Sequence, residues 1–234
     1  AGLYVADAYK FSLEKYQKAG ELEPGNPDFP IKIGQVKTKL LTLEKDESAK
    51  KRLLEEARDS FQRAVDMRAN YSPSYFNLSL AEEGLGDLDK AVENMTKAFL
   101  LQRDNLNYAF TLARLYQSRN KNDDAKIAED LYKQILGIND KEINTRFNLG
   151  MLYEKTDKKS EAVSEYRKVI ENLPEGSDGA KEQLNRMIAN IQNGIPNTPE
   201  NLGLVQKENP ASAETGAPEG ASPIQNGAPS VSGE

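Results

Sequence analysis

Residues Asn70 to Asn105 read as one folding unit that the rest of the chain repeats. Tyr75, Leu78 and Ala81 fall on one face of a first helix. Leu88, Ala91, Met95, Ala98 and Phe99 recur at three- and four-residue spacing and fall on one stripe of a second. Gly84-Leu85-Gly86-Asp87 separates them, and two short helices joined by a tight glycine turn make an antiparallel pair. One such pair cannot bury its own apolar faces, so the chain must supply neighbours that stack on it.

The neighbours are legible in the register. Ala57, Ala91, Ala128 and Ala162 each head the second helix of a pair. Ala91 lies 34 residues after Ala57, and Ala162 lies 71 after Ala91, which is twice 34 plus three extra residues in the turn before Ala128. Four residues after each alanine comes a bulky side chain: Phe61, Met95, Tyr132 and Tyr166. Three further on come Ala64, Ala98, Ile135 and Val169. The first helices carry Leu78, Leu112 and Leu149, each followed by a small residue, Ser79, Ala113 or Gly150. Small residues at these places and at Ala91 and Ala162 let the two helices of a pair approach closely.

This pattern resembles the tetratricopeptide repeat (TPR), a helix–turn–helix unit of about 34 residues. The match is clearest in Leu149-Gly150-x-x-Tyr153, Ala162, Tyr166 and Pro174, and it covers roughly residues 1–192. The tryptophan usual in the first helix is replaced by Tyr75, Ala109 and Arg146. The resemblance implies an all-α, right-handed α-solenoid of stacked hairpins.

The predicted organisation follows in order. Residues 1–26 form a partial repeat, mainly its second helix; a turn falls at Asp7 to Tyr9, or one helix runs from about Leu3 to Leu22. The apolar start Ala1-Gly2-Leu3-Tyr4-Val5 reads as an interface that has lost its neighbour, as in a piece of a longer protein. Residues 27–69 are an atypical, elongated repeat. Gly34 to Ala57 spans 23 residues against 12 from Gly150 to Ala162, which predicts two long helices whose charged part, Lys45 to Glu56, projects into solvent. Residues 71–104, 105–140 and 141–174 are repeats, the second with the three-residue insertion. Ser72 is the expected N-cap of the first, with Pro73 at its first helical position. Residues 177–192 form a closing helix with Ala180, Leu184, Met187, Ile188 and Ile191 on its apolar stripe. Residues 195–234 hold six Pro and five Gly, with one positive charge against five negative, and are expected to be a disordered tail. Within them Ile195 to Val205, which carries Leu202 and Leu204, is either a plain linker or a segment that folds back.

Composition excludes several classes. The chain has neither Cys nor His, so disulfides and thiolate or imidazole metal sites are ruled out, and no cofactor is expected. A net charge of −6 argues against nucleic acid, whose phosphates need a concentrated basic face. No apolar run approaches the ~20 residues that span a bilayer, so this segment is not expected to insert in a membrane. Usual serine or cysteine catalysis lacks its base, and carboxylate neighbours such as Asp123 and Asp124 point in different directions on a helix, so no enzyme is expected. The polar run Arg119 to Asp124 lacks the EF-hand glycine and terminal glutamate. The Asn-x-Ser/Thr patterns at Asn70, Asn77 and Asn94 fall mostly inside helices and read as chance.

By resemblance, the residue two before each first-helix leucine points into the concave groove of the stack. Here these are Phe76, Phe110 and Phe147, followed by Asn77, Thr111 and Asn148. Two past the leucine come Leu80, Arg114 and Met151, then Glu83, Gln117 and Glu154. An aromatic track edged by amides suits a peptide, extended or helical, of a protein partner. Repeats that clamp a C-terminal carboxylate use Lys, Arg and Asn here; only Arg114 is basic, so that function is not expected. The expectation is a protein-interaction scaffold. Its alternatives are a structural module that self-associates through the apolar N-terminal helix, or the soluble C-terminal arm of a membrane-anchored bacterial assembly of the glycan polymerase or ligase type. The compartment stays open between the cytoplasm and the outside of a membrane.

Overall fold

A computed structural model describes residues 2–204, which form ten α-helices and, among those residues, no strand. The chain divides into two compact units, Ala1–Ile138 and Asn139–Glu234.

In the first unit seven helices run in hairpin succession, each packed on the next. They are α1 (Gly2–Leu22), α2 (Asp28–Leu41), α3 (Glu47–Met67), α4 (Ser72–Gly84), α5 (Leu88–Leu101), α6 (Leu106–Arg119) and α7 (Asp124–Ile138). The ends have local causes. The Asp46 carboxylate accepts from the Ala49 amide and Asp87 from that of Lys90, each satisfying a free donor of a helix start. Asn105 accepts from the amides of Asn107 and Tyr108. Gly86, at φ 84°, supplies the left-handed turn between α4 and α5 that a side chain would disfavour. Asn120, also left-handed, ends α6.

The alanine register holds. Ala57, Ala91 and Ala128 are each 0 % exposed, and Phe61, Met95 and Tyr132 are buried behind them. Leu78 and Leu112 complete the core from the first helices, with Ser79 and Ala113 buried beside them. Where the first helix offers a glycine, the second lays a ring against it: a Cβ on Gly34 would lie 2.4 Å from Cε1 of Phe61.

Several details differ from expectation. α1 is a single helix through Asp7 to Tyr9. Tyr71, not Ser72, precedes α4 as its cap, and Ser72 is buried in the first turn. The elongation of residues 27–69 falls mostly on one helix: α2 has an ordinary 14 residues and α3 has 21. Of the eleven extra residues seven lie in α3 ahead of Ala57, two in the loop 42–46 and two in α2 after Gly34. Nor is the extension of α3 wholly solvated. Leu54 packs on the core cluster of Ile31, Phe61 and Leu78, and lies against Gly84 of α4. An amphipathic 21-residue helix with leucines at 53 and 54 has an apolar edge to bury, which the charge count of this stretch hides.

The second unit holds α8 (Ile143–Lys155), α9 (Lys159–Asn172) and α10 (Asp178–Gln192), packed in that order. Ala162 is 0 % exposed, with Tyr166, Val169 and Leu149 buried around it. Arg146, in the tryptophan's place, donates from Nη1 to Glu165 Oε2 at 2.6 Å and from Nε to the Asp140 carbonyl at 2.6 Å. An ion pair between α8 and α9, nine-tenths buried on both sides, thus replaces an indole. Leu184, Met187, Ile188 and Ile191 bury the inner stripe of α10, whose Ser177 makes no side-chain cap bond. After Gly194, at φ 71°, residues 195–204 turn back along α10 and bury Leu202. Residues 205–234 of the expected tail lie outside the described residues.

Candidate functional site

On the first unit the expected groove residues occupy two first helices at matching spacing. α4 carries Phe76, Asn77, Leu80 and Glu83; α6 carries Phe110, Thr111, Arg114 and Gln117. Phe76, Leu80 and Glu83, and likewise Phe110, Arg114 and Gln117, recur every three or four residues and so share a helix face, with Asn77 and Thr111 beside them.

Both phenylalanines are half-buried and rest on tyrosines. The Phe76 ring stacks on Tyr108 of α6, with centroids 5.0 Å apart and planes at 25°. Phe110 meets Tyr132 of α7 in a tilted pair, 6.1 Å between centroids. Such pairing fixes the rings and adds about 0.5–1.5 kcal/mol beyond burial. Leu80 stands on the same face, 37 % exposed.

The polar side chains are more committed than their spacing suggests. Asn77 donates to the Pro73 carbonyl at 2.7 Å and accepts from Gln35 Nε2 at 3.5 Å. Thr111, at the same register, donates to the Asn107 carbonyl at 2.8 Å. Arg114 forms a two-pronged pair with Glu83, Nη1 to Oε1 and Nη2 to Oε2, the latter 2.6 Å. Bonding to Glu83 pushes the Arg114 guanidinium above its ordinary value, so it stays charged throughout. Tyr132 donates its hydroxyl to Gln117 Oε1 at 2.9 Å, and burial pushes its phenol well up.

On the second unit Phe147, Asn148 and Met151 repeat the positions on α8. Phe147 lies 5.8 Å from Tyr166, Asn148 donates to the Asn144 carbonyl at 2.9 Å, and Met151 is 40 % exposed. Glu154 accepts from the Tyr166 hydroxyl at 3.2 Å and from Asn197 Nδ2 at 3.1 Å. The asparagine and threonine that follow the phenylalanines therefore share one habit: each spends a donor on the carbonyl four residues back.

Sequence reasoning places these residues on the first helices but misses what holds them. The Arg114–Glu83 pair, the ring partner Tyr108 and the Asn197–Glu154 bond all cross between elements. A signal existed for the first: Glu83 and Arg114 lie 31 residues apart, a repeat length less three, which sets opposite charges on successive helices. In the loop at 119–124, Arg119 grips Asp124 through Nε at 2.9 Å and Nη2 at 2.7 Å, and the Lys121 amide donates to it at 2.8 Å. That carboxylate is held below its usual range, chiefly by Arg119, and ties the loop to the start of α7, a structural role.

Hairpins with a fully buried alanine heading the second helix, at Ala57, Ala91, Ala128 and Ala162, are arranged as in a tetratricopeptide repeat. The family model of that repeat, "Tetratricopeptide repeat", matches residues 72–105 and 143–172, the hairpins α4–α5 and α8–α9. No curated protein matches the chain. Among solved structures it is similar to MamA (residues 41 to the end) from Desulfovibrio magneticus RS-1, with 12% identity and a TM-score of 0.61 over 73% of this chain and 92% of that one. It is similar also to TTC0263, a thermophilic TPR protein of Thermus thermophilus: 21% identity, TM-score 0.52, 81% of this chain and 93% of that. A third is YrrB, a TPR protein with an unusual peptide-binding site: 17% identity, TM-score 0.56, 76% of this chain and 86% of that. At these identities the likeness is one of fold.

Proposed function

We propose that the chain is a protein-interaction scaffold whose first-helix faces take a peptide segment of a partner. The observation that carries this is the pair Phe76 and Phe110. Both rings are held by tyrosines, both are only partly buried, and they stand at the same register on successive first helices beside the exposed Leu80. Fixed aromatic surface binds without losing much side-chain freedom, which is why such residues anchor interfaces. Arg114 and Glu83 neutralise each other at the edge, so the face suits an apolar or neutral segment better than an anionic one. The peptide-binding site named for YrrB agrees with this reading.

The test is a peptide library displayed against the full chain, followed by titration of the best sequence on wild type, Phe76→Ala and Phe110→Ala. At least tenfold weaker binding in each variant, with little change in melting, is the expected result. Equal affinity for all three chains would remove the reading.

A second reading has its own observation. Tyr4, Phe11 and Leu22 are 84%, 60% and 77% exposed on α1 and share one stripe. A second copy packed along that stripe would make the chain a self-associating structural module. Light scattering decides it: a concentration-dependent dimer that Phe11→Glu abolishes supports it, and a monomer at all concentrations excludes it.

A further inference from the structure

The two units treat one acidic position differently. In the first, Glu83 is held by Arg114, which stands two residues after the buried Leu112. In the second, Glu154 stands three residues after Met151, as Glu83 stands three after Leu80. The residue of α10 in Arg114's place is Arg186, two after the buried Leu184. Yet Arg186 turns away: Nη2 donates to Glu182 at 2.5 Å and Nη1 to the Leu202 carbonyl at 3.3 Å.

Glu154 is taken by Asn197 of the returning segment. Asn197 Nδ2 donates to Glu154 Oε2 at 3.1 Å and to the Met187 carbonyl at 3.2 Å, and its Oδ1 accepts from Asn190 Nδ2 at 2.9 Å. Five residues on, Leu202 is 7 % exposed. One main-chain bond ties the start of the segment to α10, Ile195 N to the Asn190 carbonyl at 2.8 Å; others are internal, among them Leu202 N to the Thr198 carbonyl at 3.0 Å and Leu204 N to the Pro199 carbonyl at 2.9 Å. Beyond Ile195 it is thus a self-contained turn, attached to the unit mainly by one amide side chain, one leucine and the Arg186 contact. A following repeat would instead be held by a whole helix face.

We infer that residues 195–204 are an internal ligand of the second unit, seated on Glu154 and α10, and that they show what a partner must present there. Such a partner is a turn-forming peptide with a primary amide for Glu154 and a leucine five residues later. This rests on the peptide-binding reading of the first-helix faces. A tethered segment competes at a high effective concentration, of the order of millimolar for a short connection. A partner therefore binds this unit only by displacing the chain's own turn.

The test uses the full chain. Asn197→Asp with Leu202→Ala sets a carboxylate against Glu154 and empties the leucine site. Amide exchange over 198–204 is expected to quicken at least tenfold while α8 and α9 stay protected. A labelled synthetic peptide of residues 195–204 is then expected to bind this variant at least tenfold tighter than wild type, and to lose that affinity when it carries Asn197→Ala. Unchanged exchange would show that these contacts do not hold the segment. Released exchange with no peptide binding, or with equal binding to both chains, would show a structural cap only; either result overturns the inference. Asn197→Ala alone, a milder change, decides the matter if the double variant loses protection in α8 and α9. The Phe76→Ala and Phe110→Ala tests act on the first unit, so the groove reading stands or falls separately.

Discussion

The ring of Tyr166 lies where a side chain on Gly150 would begin: a Cβ built there would be 2.5 Å from Cε1 and 2.8 Å from Cδ1. Gly34 and Phe61 stand in the same relationship in the other unit. These crossings are where first and second helices come closest. Gly150→Ala and Gly34→Ala should each destabilise by about 1–3 kcal/mol through overpacking, although alanine is by about 1 kcal/mol the better helix former. Gly137, also helical, has nothing within 4 Å of its Cβ position; Gly137→Ala should be neutral or stabilise by about 0.4–1 kcal/mol. Urea unfolding of the three variants checks the contrast.

Arg114 and Glu83 should be coupled. Their side chains keep 34% and 23% of their exposure, so solvent screens the pair. A double-mutant cycle with Arg114→Met and Glu83→Gln should give a coupling of about 1 kcal/mol, shrinking in 1 M salt. A coupling of zero would mean that this ion pair adds nothing to the α4–α6 contact beside the Phe76–Tyr108 stack.

Alkaline stability should fall through two phenols. Burial holds both Tyr132 and Tyr166 protonated far above the ordinary tyrosine value of 10.0. The folded value thus exceeds the unfolded one. The stabilisation is complete below about pH 10 and is lost as pH rises beyond it, because the unfolded chain releases protons that the folded chain keeps. Each group should contribute a slope of up to about 1.4 kcal/mol per pH unit in that range. Tyr132→Phe should flatten the unfolding free energy measured against pH above 10, and adding Tyr166→Phe should flatten it further.

What the sequence carried plainly was the register. Ala57, Ala91, Ala128 and Ala162, with the bulky residue four places on, are local patterns that a helix period exposes. What it carried poorly was anything set by a contact between elements. The length of α2 could not be told from that of α3, because only their total against a neighbouring repeat is countable. Leu54 looked solvated because its neighbours in sequence are charged, while its partner Gly84 is thirty residues away. The groove positions were legible by register. That Asn77, Thr111 and Asn148 turn their donors onto their own helices was not, since a side chain's choice between its own backbone and a guest depends on geometry. The apolar residues of 195–205 left a fold-back open beside a plain linker; that Asn197 and Leu202 seat it could not be read, since both act through contacts with α8 and α10.

The central claim is that the guest lies on the first helices. Hydrogen–deuterium exchange of the full chain, with and without the library-selected peptide, tests it most directly. Added protection over 76–83 of α4 and 110–117 of α6, with α5 and the outer face of α7 unchanged, is the predicted result. Protection centred on α5 and α7, or spread evenly over the chain, would contradict it.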